Sequence, residues 1–163
     1  MRLELTKFIK GQRVYQDFTR QWFQEILKNL NKEKALKNAS KLKALELSLV
    51  FVSRSKIRKL NKNYRKLNKE TDVLSFGGDG FVSLGELIFC MDVIKFKAKK
   101  QNLPVKLYLG MLLLHGALHL LGYEHEHGGQ DEHEMFRLQN KIMRKVASKL
   151  APEHKRDFDV DLV

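Results

Sequence analysis

PVKLYLGMLLLHGALHLLGYEH, residues 104–125, sets the centre of this molecule. Pro104 suits the first turn of a helix, where its missing N–H has no helical partner to lose. Residues 107–123 contain no Lys, Arg, Asp or Glu. That run falls short of the ~20 residues that cross a bilayer, and it carries two histidines. The expectation is a buried core helix over 104–121, stopped at Gly122, and no membrane association.

The flanks supply elements to cover such a helix. Upstream, Phe18, Trp22, Ile26 and Leu30 recur at helical spacing over 18–30, with Asp17 placed to cap. A basic stretch from Asn31 to Lys43 reads as a solvated connection or a helix end. Leu45, Leu47, Leu49 and Phe51 alternate with their neighbours, which predicts a strand over 44–52. Ser53 or Ser55 can cap a helix over 55–67, with Ile57, Leu60, Tyr64 and Leu67 on its buried face. Residues 71–76, TDVLSF, and 81–90, FVSLGELIFC, read as two further strands around a glycine-rich loop. Gly85 within the second marks a bulge or a close backbone approach. Asp92 can cap a helix to Gln101, and a last helix is expected over 130–150. The fold class is α+β: a small mixed β-sheet packed by five to six helices.

The chain has 163 residues, 43% hydrophobic and 31% charged, which is the balance of one globular domain over 1–163 with a loose tail from 151. A single cysteine, Cys90, excludes an internal disulfide and fits a reducing, cytoplasmic compartment. The opening MRLELTKFIK lacks the apolar core of a secretion signal. Net charge is +12, and it is concentrated: residues 1–70 carry 19 bases and 6 acids. A basic half implies a polyanionic partner.

His115 and His119 stand i, i+4, so both leave one face of the helix about a turn apart. A helix stop at Gly122 then lets the chain turn back so that His125 supplies a third imidazole. Neutral imidazole is a good zinc ligand, and three of them leave one coordination position open, as in catalytic rather than structural sites. The H-x3-H-x2-G-x2-H spacing equals that of metzincin metalloproteases, HExxHxxGxxH, but Gly116 stands where those carry their catalytic Glu. Peptide hydrolysis is therefore disfavoured. His127 and His133 are weaker candidates, and His154 is assigned nothing.

HGALHLLGYEH, residues 115–125, resembles the HGxLHLxGYDH signature of the YbeY family. LNKNYRKLNKETDVLSF, residues 60–76, is similar to that family's LNxxYRxxxxPTDVLSFP, and LGELIFC, residues 84–90, to its LGDIxI strand. The blocks keep the family's order, and the likeness spans about residues 45–150. Glu70 and Gly77 replace prolines of the pattern, and Glu124 replaces an Asp. The resemblance implies a metal-dependent, single-strand-specific endoribonuclease. Its expected work is maturation of the 3′ end of small-subunit ribosomal RNA, and ribosome quality control. It implies one Zn2+ on His115, His119 and His125, a zincin-like metal helix, and a functional arginine at Arg65. The expected partners are single-stranded RNA, ribosomal RNA and the small ribosomal subunit.

Arg65 is then expected to clamp a phosphate whose charge grows during cleavage. Glu124, His127 and Asp72, together with Glu126, are candidates for a base or for support of the metal ligands. Attack by a 2′-OH or by water are both open. Thr71 and Asp72 read first as turn or strand-cap residues, and Ser75 can line the groove. Tyr64 reads as core, Tyr123 as packing beside the metal loop, and Cys90 as inert. Two other readings compete: an RNA-binding assembly factor with a structural metal, and a peptidase.

Overall fold

Leu47, Leu49 and Phe51 are buried, while Glu46, Ser48 and Val50 are only partly covered, so the strand they share buries one face fully. In the computed structural model, which describes residues 2–7, 15–34, 36–43, 46–123 and 130–154, that strand is one of four. The elements in order are β1 (Arg2–Lys7), α1 (Gln16–Leu30), a 3-10 turn (Ala39–Lys43), β2 (Glu46–Phe51) and α2 (Arg54–Arg65). There follow β3 (Val73–Gly77), β4 (Ser83–Phe89), α3 (Met91–Lys100), α4 (Val105–Leu120) and α5 (Gln130–Leu150). The sheet order is β1-β2-β4-β3, with β1, β2 and β4 parallel and β3 antiparallel on the outer edge. The α+β class and the mixed sheet stand as expected, with five α-helices among the described residues.

The sheet separates two clusters. On one face Leu47, Leu49, Phe51, Leu84, Leu87 and Phe89 join α1, α4 and α5 in the main core. On the other, Leu74, Ile88 and Cys90 pack with Ile57 of α2. Leu84 and Leu87 share a face despite their odd spacing. The register slips between Glu46–Ser83 and Leu47–Gly85, a bulge that takes up the extra residue. Gly85 has φ +146°, and a Cβ there would sit 2.3 Å from Phe76 O. Helix α4 runs through the middle and touches α1, α3, α5, β3 and β4. Trp22 of α1 lies against Gly110, which keeps that crossing close.

Several expectations change. β1 was not anticipated. Arg2–Lys7 pairs with β2 residue by residue from Arg2–Glu46 to Leu5–Leu49, a contact no local pattern reveals. Helix α1 begins at Gln16, so Asp17 sits in its first turn rather than capping it, and Asp92 stands likewise in α3 behind Cys90. Ser53 does cap α2, accepting from Lys56 N at 3.4 Å. Tyr64 is 66% exposed on the last turn of α2, and Leu67, two residues past its end, is 45% exposed, so neither is the core residue the spacing suggests. The basic stretch after α1 is no bare connection. Leu36 and Leu42 are buried, Asn38 Nδ2 donates to Leu121 O at 2.8 Å, and Lys41 Nζ to Leu120 O at 3.5 Å. It thereby satisfies carbonyls that the end of α4 leaves open. Of the expected tail, Ala151–His154 ends in a short 3-10 turn, and the remainder lies outside the described residues.

Candidate active site

The C-terminus of α4 builds the site. Gly122, at φ +90°, donates to His119 O at 2.9 Å, and Tyr123 N donates to Leu118 O at 3.1 Å. This pair of bonds closes the helix in a Schellman turn. The same turn folds Tyr123 O back onto His119 Nδ1 at 2.9 Å. Tyr123 itself is fully buried, and its hydroxyl accepts from Lys37 N at 3.1 Å. One local device therefore ends the helix and orients an imidazole.

His115 is oriented from elsewhere. Its Nδ1 lies 2.9 Å from Gln139 Oε1 on α5. A carbonyl oxygen can only accept, so each Nδ1 carries the hydrogen and each Nε2 presents its lone pair. The two rings stand edge to face, 84° apart, and the Nε2 atoms are 3.1 Å from one another. Two lone pairs at that distance repel unless a cation or proton lies between them. Two nitrogens bound at 2.0–2.1 Å to a tetrahedral zinc are about 3.3 Å apart. The donor chemistry and the spacing both fit a metal ion. His125, Glu124 and His127 lie outside the described residues, and among the described residues no three His, Cys, Asp or Glu side chains converge.

Asp72 is occupied. Only 6% exposed, its Oδ2 accepts from Lys97 Nζ and from Tyr108 Oη, both at 2.9 Å. Burial pushes its carboxyl up, but the Lys97 and Tyr108 bonds outweigh it and hold the group below its ordinary value. Burial, then the Asp72 charge, drives the Tyr108 hydroxyl well up. Tyr108 stands seven residues before His115 on α4, about 10 Å along the axis. Asp72 thus ties the start of β3 to α3 and α4. Thr71 bonds Asp72 Oδ1 and Val73 O, in the turn role expected of it.

Arg65 is the last residue of α2 and is exposed. Beside it the Tyr64 ring meets Phe76 of β3 edge-on at 5.0 Å. Helices α2 and α4 lie on opposite faces of the sheet, and both reach β3, the outer edge strand. Leu74 and Phe76 pack toward α2, so Ser75 and Val73 point to the α4 side. Cys90 is buried and burial raises its thiol pKa, which fits an inert core residue.

Gln139 escaped the sequence reading. Its signal is a polar residue in step with Met135, Ile142, Met143 and Val146, all fully or nearly buried on α5. A basic groove of about 480 Å³ runs along α2, lined by Arg54, Ser55, Arg58, Lys59, Lys62, Asn68 and Glu70. No single helix among the described residues is long and apolar enough to cross a membrane.

The chain is similar to known proteins along most of its length. The family model for Endoribonuclease YbeY matches residues 6–147. A protein named Endoribonuclease YbeY from Bdellovibrio bacteriovorus is 39% identical over 136 residues, 81% of this chain and 89% of its own. One from Aquifex aeolicus is 33% identical over 146 residues, 87% and 91% of the two chains. The solution structure of TM1509 from Thermotoga maritima covers 99% of this chain and 98% of its own, with a TM-score of 0.61 at 23% identity, and shares the fold. With the histidine pair, the sheet and these relatives in agreement, the chain belongs to the YbeY family of endoribonucleases.

Proposed function

We propose that this endoribonuclease cuts single-stranded RNA with the help of one metal ion, zinc first, held by His115, His119 and His125. Its work in the cytoplasm is maturation of the 3′ end of small-subunit ribosomal RNA, with ribosome quality control as a second outlet.

The observation that carries the reading is the pair of Nε2 atoms 3.1 Å apart with both Nδ1 atoms engaged. Fixed tautomers and fixed ring planes are what a metal ligand needs from its supporting groups. The chemistry such an ion supplies when bound is Lewis acidity toward a phosphate oxygen and acidification of water. The chain's own residues do the rest. Gln139 and Tyr123 hold the imidazoles. Arg65 clamps the phosphate, bidentately where the fork allows. Glu124, Glu126 and His127, close to His125 in the sequence, and Asp72 are the candidates to move a proton. The α2 groove, with six basic or polar donors and Glu70 at its rim, takes the backbone of the strand.

The test is cleavage of an end-labelled single-stranded RNA by metal-assayed protein, beside His119→Ala from the same preparation. The variant is expected to lose stoichiometric metal and cleavage together. A variant with full metal would remove His119 from the ligand set. Equal cutting by both would trace the activity to a contaminant. Cleavage lost in neither the chelated nor the metal-loaded wild type would end the metal requirement.

A further inference from the structure

The hairpin between β3 and β4 presents a side chain that the fold has no use for. Phe81 is 83% exposed, and Val82 beside it 52%. An exposed phenylalanine on a slack loop would fold against the nearest apolar surface. This loop is not slack. Asp79 Oδ1 accepts from the backbone N–H groups of Phe81, Val82 and Ser83 at 2.8, 2.8 and 3.0 Å. Gly80 N donates to Ser83 O at 2.9 Å, and Gly78 N to Leu84 O at 3.1 Å. Glu46 N on β2 donates to Val82 O at 3.1 Å, anchoring the loop to the sheet. The ring is held out by its backbone.

Its place matters as much as its exposure. The Cβ position of Gly85, at the base of the hairpin, is 2.9 Å from Leu120 Cδ2, the residue after His119. The Cβ position of Gly80 is 3.4 Å from the Lys41 side chain, whose Nζ reaches Leu120 O. The hairpin tip and the histidine end of α4 therefore share Leu120 and Lys41. Phe81 follows Gly80 in the chain, and Gly80 lies against Lys41, so the hairpin tip carries an apolar ring and meets a cation that reaches the end of α4, in an enzyme that acts on RNA.

We propose that Phe81 is a base-stacking residue, seating one unpaired nucleotide of the RNA next to the cleavage site while Lys41 meets its phosphate. This rests on the RNA-cleaving reading of the same site and names how the enzyme grips single strands. An unpaired base offers both faces to a ring, whereas a paired base is already stacked. A ring held out in advance loses little freedom on binding. Asp79 is then a positioning residue for Phe81.

The experiment uses the full chain and a labelled single-stranded RNA for cleavage, with its 2′-O-methyl counterpart for binding. Phe81→Ala is expected to weaken binding about tenfold and to raise KM with kcat within about twofold. Phe81→Tyr keeps binding near wild type, and Asp79→Ala weakens it in the direction of Phe81→Ala. Phe96→Ala is the control: Phe96 is 63% exposed on α3, whose Lys97 contacts Asp72 at the other end of β3. It should change nothing. In Phe81→Trp, RNA should quench the new emission, because the native Trp22 is 2% exposed and silent to quenching. Unchanged binding by Phe81→Ala overturns the proposal, as does full rescue by Phe81→Leu, which would show a bare apolar contact. Emission that ignores RNA but follows protein concentration overturns it in favour of a contact between copies. If wild type neither binds nor cuts, the parent reading fails instead.

Discussion

His115 and His119 aim their Nε2 atoms at each other across 3.1 Å, and each ring is held from behind by a carbonyl oxygen, one from Gln139 and one from Tyr123. The Tyr123 carbonyl belongs to the helix stop and cannot be removed by mutation. The Gln139 amide can. Gln139 is 8% exposed, so Gln139→Leu fills its space while freeing His115 Nδ1. Loss of such a support typically weakens a metal about 10- to 100-fold. Competition with a chromophoric chelator should show that loss, with the far-ultraviolet circular dichroism unchanged. Wild-type affinity would show that Gln139 only packs.

Gly116 is where the zincin pattern would have its glutamate, and the structure gives a packing reason for glycine. A Cβ there would lie 2.7 and 3.0 Å from the two methyl groups of Leu87 on β4. The helix rests on the sheet at this point. Gly116→Ala should cost about 1–3 kcal/mol as overpacking, read as a lower midpoint in urea. Leu87→Ala should then cost less in the Gly116→Ala background than in the wild type, as read by a double-mutant cycle. Two purely additive losses would show that the helix and the sheet do not press on each other here.

Asp72 makes a prediction about acid. Burial opposes its charge, yet Lys97 and Tyr108 hold its carboxyl below the ordinary 3.8. The folded state thus takes up this proton less readily than the unfolded chain. The contribution to stability is present in full above about pH 4 and is lost as pH falls through the folded value. Asp72→Ala also strands the buried Tyr108 hydroxyl, at about 1–3 kcal/mol. Wild type should lose stability as pH falls below the ordinary 3.8, and the variant should start lower and lose less over the same fall. Parallel curves would take Asp72 out of the acid response.

How much of this was legible in the sequence depends on how far apart the partners lie. The α4 stop was readable because Gly122, His119 and Tyr123 are neighbours along the chain. The strand pattern of Leu47, Leu49 and Phe51 was readable for the same reason. β1 was not, because Leu3 and Leu5 alternate too briefly among charges, and their pairing with β2 spans the whole of α1. Tyr64 was misread for a geometric reason. Helical period puts it in line with Ile57 and Leu60, but period says nothing of where the covering surface ends, and Tyr64 is left 66% exposed. Asp72 was read as a turn residue or a base. Its partners, Lys97 and Tyr108, arrive from helices 25 and 36 residues further on.

The charge on α2 leads to the last prediction. Helix α2 carries Arg54, Lys56, Arg58, Lys59, Lys62 and Arg65 with no acid in its first turn. Bases at a helix N-terminus oppose its dipole, so local stability does not account for Arg54 and Lys56. Arg54 pairs with Glu70 at 3.3 Å. A phosphate backbone would gain from such a face. Each phosphate contact on a single strand steepens the salt dependence of log K by about 0.7. Lys59 and Lys62 line the groove and are exposed. Lys59→Ala and Lys62→Ala together should weaken RNA binding regardless of sequence and flatten that slope by about 1.4. The melting temperature should stay within a degree or two, because neither side chain is buried. An unchanged slope would place the RNA backbone on another face, and the groove along α2 would then be no more than a charged surface.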